Sequence, residues 1–305
     1  MPELPEVEVV RAGLEPAVTG ATIDAVTVFE ERSLRRHDGP SEDFVERLAG
    51  RDILAAVRRG KFLWLPLSAS PAFSEWGEAL VVHLGMSGQV LLRDVKQADE
   101  SLLRIRLDIA SPAHGPLRVD FVDQRIFGSM AIDRFVPTPD GHAAGFGSDV
   151  ALIPSQVSHI ARDPLDPAFS DRRFFDALAR RRTGIKRALL DQGLISGIGN
   201  IYADEALWAA RIHYDQPTAT LTRVRARSLL AEVRLVLGRA LAEGGTSFDA
   251  QYVNVNGASG YFSRSLNAYG QHGKSCPRCG RPIVRESFMN RGSHFCPFCQ
   301  RIRAA

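Results

Sequence analysis

Residues 276–299 read CPRCGRPIVRESFMNRGSHFCPFC, and no other stretch constrains its surroundings as tightly. Two Cys-x-x-Cys pairs, Cys276/Cys279 and Cys296/Cys299, are separated by 16 residues, a spacing that fits one tetrahedral four-thiolate zinc site. Each pair puts two sulfurs on one side of a tight turn. The segment between is long enough for a β-hairpin over 283–295. The chain's four cysteines all fall here, so a metal in a reducing compartment accounts for them better than two disulfides. Four thiolates leave Zn2+ no open position, so one structural ion is expected rather than a catalytic one. Such an ion contributes about 10–16 kcal/mol to folding a small module. Residues 276–305 hold six arginines against one acid, Glu286, for a net +5. At the hairpin tip, in MNRGS, Arg291 is held out to solvent, either as a probe for a phosphate or groove or as an idle surface residue.

The positive charge extends upstream. The whole chain carries only +3, yet residues 1–150 hold 16 Lys+Arg against 23 Asp+Glu, and residues 151–305 hold 22 against 12. A basic second half suits a polyanion, although solvated basic helix faces give the same count. Helical periodicity is expected over 171–181, 185–192, 201–211 and 221–243, with Gly244-Gly245 as the stop. Between the second and third of these lies DQGLISGIGN (191–200), whose glycines precede a helix N-terminus near Asn200. Backbone N–H groups there make a ready anion site, with Asn200 as cap and phosphate donor and Lys186 adding charge. A purely structural helix corner fits the same residues. Residues 137–167, rich in Pro, Gly and Asp, read as a linker, and 254–260 as a Gly/Asn/Ser-rich loop.

Before the linker the pattern is that of strands. Short segments at 21–29, 51–57, 61–67, 79–84, 89–93, 102–109 and 117–121, separated by turn residues, predict a β-sandwich or barrel. SASPAFSEWG (68–77) is expected to be a loop. An amphipathic helix with Val7, Val10, Leu14, Ala17 and Val18 on one side comes first. The fold class is therefore α+β and multidomain: an N-terminal helix plus β-sandwich, a helical domain, and a zinc-ribbon hairpin. With 45% hydrophobic and 24% charged residues, the composition is that of a soluble protein of about two domains. No apolar stretch approaches the roughly 20 residues of a bilayer span, and no leader precedes Pro2; a cytoplasmic protein without membrane partners is expected. The opening MPELPEVE reads first as a helix start, with proline in the first turn and Glu3, Glu6 and Glu8 suiting the dipole.

Several stretches together carry a resemblance. MPELPEVE (1–8), RRGKFLW (58–64), HLGMSGQ (83–89), DQRIFG (123–128), IKRALLDQGLISGIGNIYADEALW (185–208), GGTSF (244–248), GYF (260–262) and the cysteine module span the whole chain. They resemble the formamidopyrimidine-DNA glycosylases, the MutM-type branch of the Fpg/Nei family. The PELPE start is similar to the purine-lesion branch; the Nei branch typically begins PEG. The resemblance implies a catalytic β-sandwich domain over 1–136, a linker at 137–167, a helix-two-turn-helix DNA-binding domain with a lesion loop over 168–262, and a four-cysteine zinc finger over 263–305. It implies a monomeric bifunctional DNA glycosylase and AP lyase of base excision repair, without nucleotide cofactor. Such an enzyme removes oxidised purines (8-oxoguanine, formamidopyrimidines) from damaged double-stranded DNA and associates with the nucleoid through it.

The family nucleophile is an N-terminal proline, here Pro2 once Met1 is removed. An α-amine ionises near pH 8, well below lysine's value near 10, so roughly 10% is free base at neutral pH. Its attack on C1′ of the damaged nucleoside expels the base and leaves an iminium ion, which acidifies the 2′ protons for β- and then δ-elimination. By motif, Glu3 is the acid/base beside the nucleophile, and Glu6 supports the N-terminal geometry with a share in catalysis. Lys61 assists elimination and contacts the backbone near the lesion, and Arg291 grips the flanking phosphates and serves the later elimination. Met86, Arg125 and Phe127 match the trio that fills the gap left by an extruded base, as kinking and flipping require; without the resemblance Met86 and Phe127 read as core. Arg181, Lys186 and Asn200 hold phosphates. Two positions depart from the family: Ile126 stands where a second basic residue is frequent, and 98–101 carries no histidine where many members place one. The stretch 68–77 is longer than usual. The rival readings are a Nei-like enzyme for oxidised pyrimidines and a non-catalytic, zinc-containing protein that binds damaged DNA.

Overall fold

The computed structural model describes residues 2–69, 77–246, 255 and 262–303. Met1, most of the expected loop at 68–77 and most of the lesion loop, including Ser247 and Phe248 of the GGTSF block and Gly260 and Tyr261 of the GYF block, lie outside the described residues. The chain forms two compact units. One comprises residues 1–2, 6–159 and 246–260; the other comprises 3–5, 160–245 and 261–305.

The first unit is a β-sandwich. Helix α1 (Leu4–Val18) leads into β1 (Thr22–Val28), and α2 (Ser41–Leu48) follows. Then come β2 (Val57–Arg59), β3 (Phe62–Pro66), β4 (Glu78–His83), β5 (Gly88–Asp94), β6 (Leu103–Ser111), β7 (Gly115–Asp123), β8 (Ser129–Pro137) and β9 (Leu152–Pro154). One sheet has the order β1-β6-β7-β5, the other β2-β3-β4-β8-β9, and each recorded pair is antiparallel. Alternation explains the layering: along β6, Ile105, Leu107 and Ile109 point into the core while Arg106 bonds Asp120 of β7 on the other face at 2.8 Å through both carboxylate oxygens. Leu63 and Leu65, Leu80 and Val82, and Met130 and Ile132 of the second sheet join the same core, as do Val7, Val10, Leu14 and Val18 of α1.

Four elements differ from the sequence reading. The expected strand at 51–57 survives only as isolated bridges at Asp52 and Ile53, with β2 starting at Val57. Strand β8 escapes the pattern because Asp133 and Arg134 interrupt its apolar run; Asp133 is buried, accepting from Ser155 Oγ (2.8 Å) and the Gln156 N–H (2.7 Å). Helix α2 escapes it because only Phe44 and Leu48 of eight residues are buried. Within 137–167, β9 extends the second sheet, Phe146 bridges Arg58, and the Ala144 carbonyl accepts from Arg59 at 2.7 Å.

The second unit packs α3 (Asp171–Arg180), α4 (Ile185–Leu190), α5 (Asn200–Ala209) and the 20-residue α6 (Arg223–Ala242) around one apolar core. Ser170 caps α3 and Thr222 caps α6 through their hydroxyls. Gly244 and Gly245, at φ 75° and 82°, end α6 as expected. Leu4 belongs to this core. The hairpin pairs β10 (Val284–Phe288) with β11 (Arg291–Phe295). Among the described residues, no helix is long and apolar enough to cross a membrane.

Candidate active site and nucleic-acid interface

The zinc ribbon is the most sharply defined feature of the second unit. The Sγ atoms of Cys276, Cys279, Cys296 and Cys299 all lie within 4.8 Å of one another, as ligands about 2.3 Å from one tetrahedral ion would. Burial resists ionisation of Cys276, but the Trp208 indole N–H and the backbone N–H groups of Arg278 and Cys279 outweigh it and bring its thiol down to about 6. Burial and the neighbouring thiols push Cys299 up to about 12. Four crowded thiols of this kind fit one Zn2+, whose charge stabilises them as thiolates. Trp208, near the end of α5, donates to Cys276 Sγ at 3.5 Å, and Arg278 lies 4.1 Å over its ring.

Fixed to that knot, the hairpin turns through Met289 and Asn290, both at positive φ (46° and 60°), and exposes Arg291 at its tip. Its stem is bolted to the helices from below. Asp204 of α5 receives the Lys186 ammonium at 2.6 Å, the Ser293 hydroxyl at 3.1 Å and the His294 N–H at 2.8 Å. Lys186, expected on a phosphate, is fully buried here, also donating to Ser293 Oγ at 3.1 Å, and burial lowers its basicity despite Asp204.

The helix N-terminus expected to hold a phosphate already holds an anion. Glu3 is 1% exposed, and its carboxylate accepts the N–H groups of Gly199 (2.6 Å), Ile201 (2.9 Å) and Tyr202 (3.4 Å) at the start of α5. A Cβ on Gly199 would lie 2.4 Å from that carboxylate, so glycine is required there by space. Asn200 does not cap α5; Gly199 occupies that position. Its Nδ2 donates to the Gly292 carbonyl at 3.1 Å, tying α5 to the residue after Arg291. Tyr269 joins this group: burial raises its phenol, Asn200 bonds it, and it feels the charges of Glu3, Asp204 and Arg291. The sequence reading missed Asp204 and Tyr269; the signal was the pair of acids, Asp204 and Glu205, inside the otherwise apolar run IYADEALW. Arg181 lies apart, at the end of α3, paired with Asp191 at 2.7 Å.

In the first unit, Pro2 is buried ahead of α1. Glu6 is 2% exposed and accepts both the N–H and the hydroxyl of Thr246, at 2.7 and 2.8 Å. Lys61 sits in the β2–β3 turn, which Gly60 makes at φ 55°. That turn is set by Arg58, whose Nε donates to Glu8 at 2.6 Å and whose Nη1 donates to the Gly60 carbonyl. His83 at the end of β4 is held down to about 4 by burial and by the charges of Arg36, Arg35 and Lys61. Its Nδ1 accepts the Gly85 N–H at 3.1 Å, which assigns the ring proton to Nε2. Met86 and Phe127 are 42% and 50% exposed, on the β4–β5 and β7–β8 turns, with Arg125 beside Phe127. They are not core.

Three family models match successive parts of the chain: the formamidopyrimidine-DNA glycosylase N-terminal domain at 1–130, the formamidopyrimidine-DNA glycosylase H2TH domain at 160–251, and the zinc finger found in FPG and IleRS at 273–302. A formamidopyrimidine-DNA glycosylase of Leifsonia xyli is 70% identical over 302 residues, covering 99% of this chain and all of that one. Another, from Thermobifida fusca, is 55% identical, covering 98% of this chain and 97% of its own. Among solved structures, the Lactococcus lactis Fpg bound to DNA with an abasic site is similar at a TM-score of 0.79 and 28% identity, over 98% of this chain and 99% of that one. A mutant of the same protein, bound to DNA containing Fapy-dG, gives a TM-score of 0.80.

Proposed function

The chain belongs to the formamidopyrimidine-DNA glycosylase family, and from that premise we propose that Pro2 is the nucleophile of a glycosylase and AP lyase that excises oxidised purines. The observation that carries this reading is the seat of Glu3: a buried carboxylate on the α5 N-terminus fixes the residue next to the amine. The Pro2 nitrogen attacks C1′ and gives up its proton, the bond to the base breaks, and the electron pair leaves with the base, which takes up a proton. The C1′–O4′ bond then opens, its electron pair going to O4′, which is protonated as C1′ becomes doubly bonded to nitrogen. The resulting iminium draws electrons from C2′; loss of a 2′ proton cleaves the 3′ phosphate, and a second elimination cleaves the 5′ phosphate. Glu3 transfers protons at the sugar. Glu6, locked by Thr246, fixes the start of α1. Lys61 assists elimination from its short turn.

Arg291 grips the phosphates beside the lesion, and Asn200 and Arg181 hold the backbone. We assign Lys186 to this group through its neighbours: committed to Asp204, it braces the hairpin that presents Arg291. Met86, Arg125 and Phe127 fill the vacated stack. Zinc supplies rigidity to the ribbon when bound. The catalytic sandwich over 1–136, the linker at 137–167, the DNA-binding region over 168–262 and the finger over 263–305 remain the working division, in a monomer acting in the cytoplasm on nucleoid DNA.

Borohydride trapping on 8-oxoguanine:C duplex tests the chemistry. Wild type lacking Met1 gives a covalent adduct, whereas Pro2→Gly and the Met1-retaining form give at least tenfold less; no wild-type adduct would exclude the lyase mechanism and favour a merely DNA-binding protein. Faster release of thymine glycol than of 8-oxoguanine would instead place the chain with the oxidised-pyrimidine enzymes.

A further inference from the structure

Two turns of the first unit carry the residues read above as the wedge: 84–87 between β4 and β5, and 124–128 between β7 and β8. Half-exposed Met86 and Phe127 have little packing to hold them, yet the backbone beneath them is strained. Ile126, a β-branched residue, sits at φ 55° in the left-handed region, a conformation that persists only where surrounding contacts impose it. Gly85, at φ 62°, brings the turns so close that a Cβ there would lie 2.3 Å from the Phe127 carbonyl.

Those contacts come from two sides. From within, Asp123 is 0% exposed; its Oδ1 accepts the Ser87 hydroxyl at 2.6 Å and the Arg125 N–H at 3.1 Å, and its Oδ2 accepts the Gly128 N–H at 2.6 Å. Ser87 Oγ also accepts the Arg125 N–H at 3.2 Å. From without, Arg35, at the end of the 3-10 turn Glu31–Leu34, spreads one guanidinium over three successive carbonyls. Nη1 donates to Ile126 (3.2 Å) and Gly128 (2.6 Å), and Nη2 donates to Phe127. Among the described residues Arg35 has no carboxylate partner; its hydrogen bonds go to this turn. A planar fork with several fixed donors suits that task, and an ammonium does not.

We infer that Arg35, Ser87 and Asp123 are positioning residues that hold Met86, Arg125 and Phe127 ready for insertion before DNA arrives, an inference that rests on reading those three as the residues that fill the vacated stack. Preorganisation of this kind removes an ordering cost from the encounter with the lesion.

The test compares two substrates under single turnover: excision from an 8-oxoguanine:C duplex, which needs the stack filled, and cutting at an abasic site in single-stranded DNA, which has no opposing stack. A duplex with 2-aminopurine facing a tetrahydrofuran site reports insertion by its fluorescence. Arg35→Ala and Asp123→Asn are expected to slow duplex excision at least tenfold more than single-strand cutting and to weaken the fluorescence change; Ser87→Ala does so by about threefold. Adding Ile126→Gly to Arg35→Ala is expected to recover at least half of the logarithmic loss, since glycine adopts the left-handed conformation without strain. Equal losses on both substrates, unchanged duplex rates, or no recovery with glycine would overturn the inference. If Asp123→Asn does not fold, the Arg35→Ala pair with and without Ile126→Gly decides. Phe127→Ala with Met86→Ala separates the two levels. If duplex excision survives that double change, the wedge reading itself fails; if it is lost while Arg35→Ala is harmless, only the positioning role fails.

Discussion

Lys186 and Asp204 are both fully buried and bond at 2.6 Å, so neither charge has water to fall back on. Removing one partner strands the other, which costs about 3–5 kcal/mol at such sites. Asp204→Asn is therefore expected to lower the urea-unfolding free energy by that order, while Lys186→Met added to Asp204→Asn recovers part of it, the amide oxygen still accepting the His294 N–H. The salt dependence of DNA binding shows whether Lys186 meets a phosphate. Bracing predicts that Lys186→Met adds no further reduction of the salt slope once Arg291 is replaced by alanine; a direct contact predicts a further reduction of about one. His83 gives a second test. Because its folded form is held near 4 against an ordinary 6.5, the unfolded chain binds the extra proton between those values. Stability is then lost as pH falls from about 6.5 towards 4, by up to about 3 kcal/mol, and His83→Gln should flatten that part of the pH–stability curve. At this scale the sequence was legible where chemistry is written in spacing, as in the cysteines, and opaque where it depends on a distant partner. Nothing near Lys186 in the chain announces that Ser293 and His294 will share its carboxylate.

Elements carry the next level of the argument. The α5 N-terminus was readable as an anion seat from its glycines, and the expected helix at 201–211 matches α5 to within two residues; its occupant was not readable, because Glu3 lies almost 200 residues away. Gly199→Ala would push a Cβ into that carboxylate. Displacing Glu3 by even about 1 Å is expected to lower single-turnover base release by about 100-fold, with DNA binding reduced far less. The hairpin depends on its metal in the same way. Stripping zinc with a mercurial and a chelator should release Arg291 and reduce lesion-DNA affinity at least tenfold, and zinc should restore it. Circular dichroism of the β-sandwich bands should change little, since the ribbon belongs to the other unit.

At the level of the whole molecule the two halves do not divide at one point in the sequence. Residues 246–260 return to the first unit, where Thr246 satisfies Glu6 and Val255 packs on Gly13 while its carbonyl accepts the Leu92 N–H at 3.0 Å. A fragment ending at His159 contains all of β1 to β9 yet lacks both contacts. Its thermal midpoint should fall several degrees below that of the sandwich in the full chain, as the loss of about 1–2 kcal/mol in a domain of this size predicts. The change from strand to helix period was legible along the chain, but the return of Thr246 and Val255 to the first unit left no trace in periodicity. Glu3 and Glu6 illustrate why: three residues apart, they are held by α5 in one unit and by Thr246 in the other. With Pro2 as the nucleophile, that double anchorage leaves no slack ahead of it. If Pro2 acts as proposed, the chain with Met1 in place is a zymogen, and an affinity tag fused in front is expected to abolish the borohydride-trapped adduct.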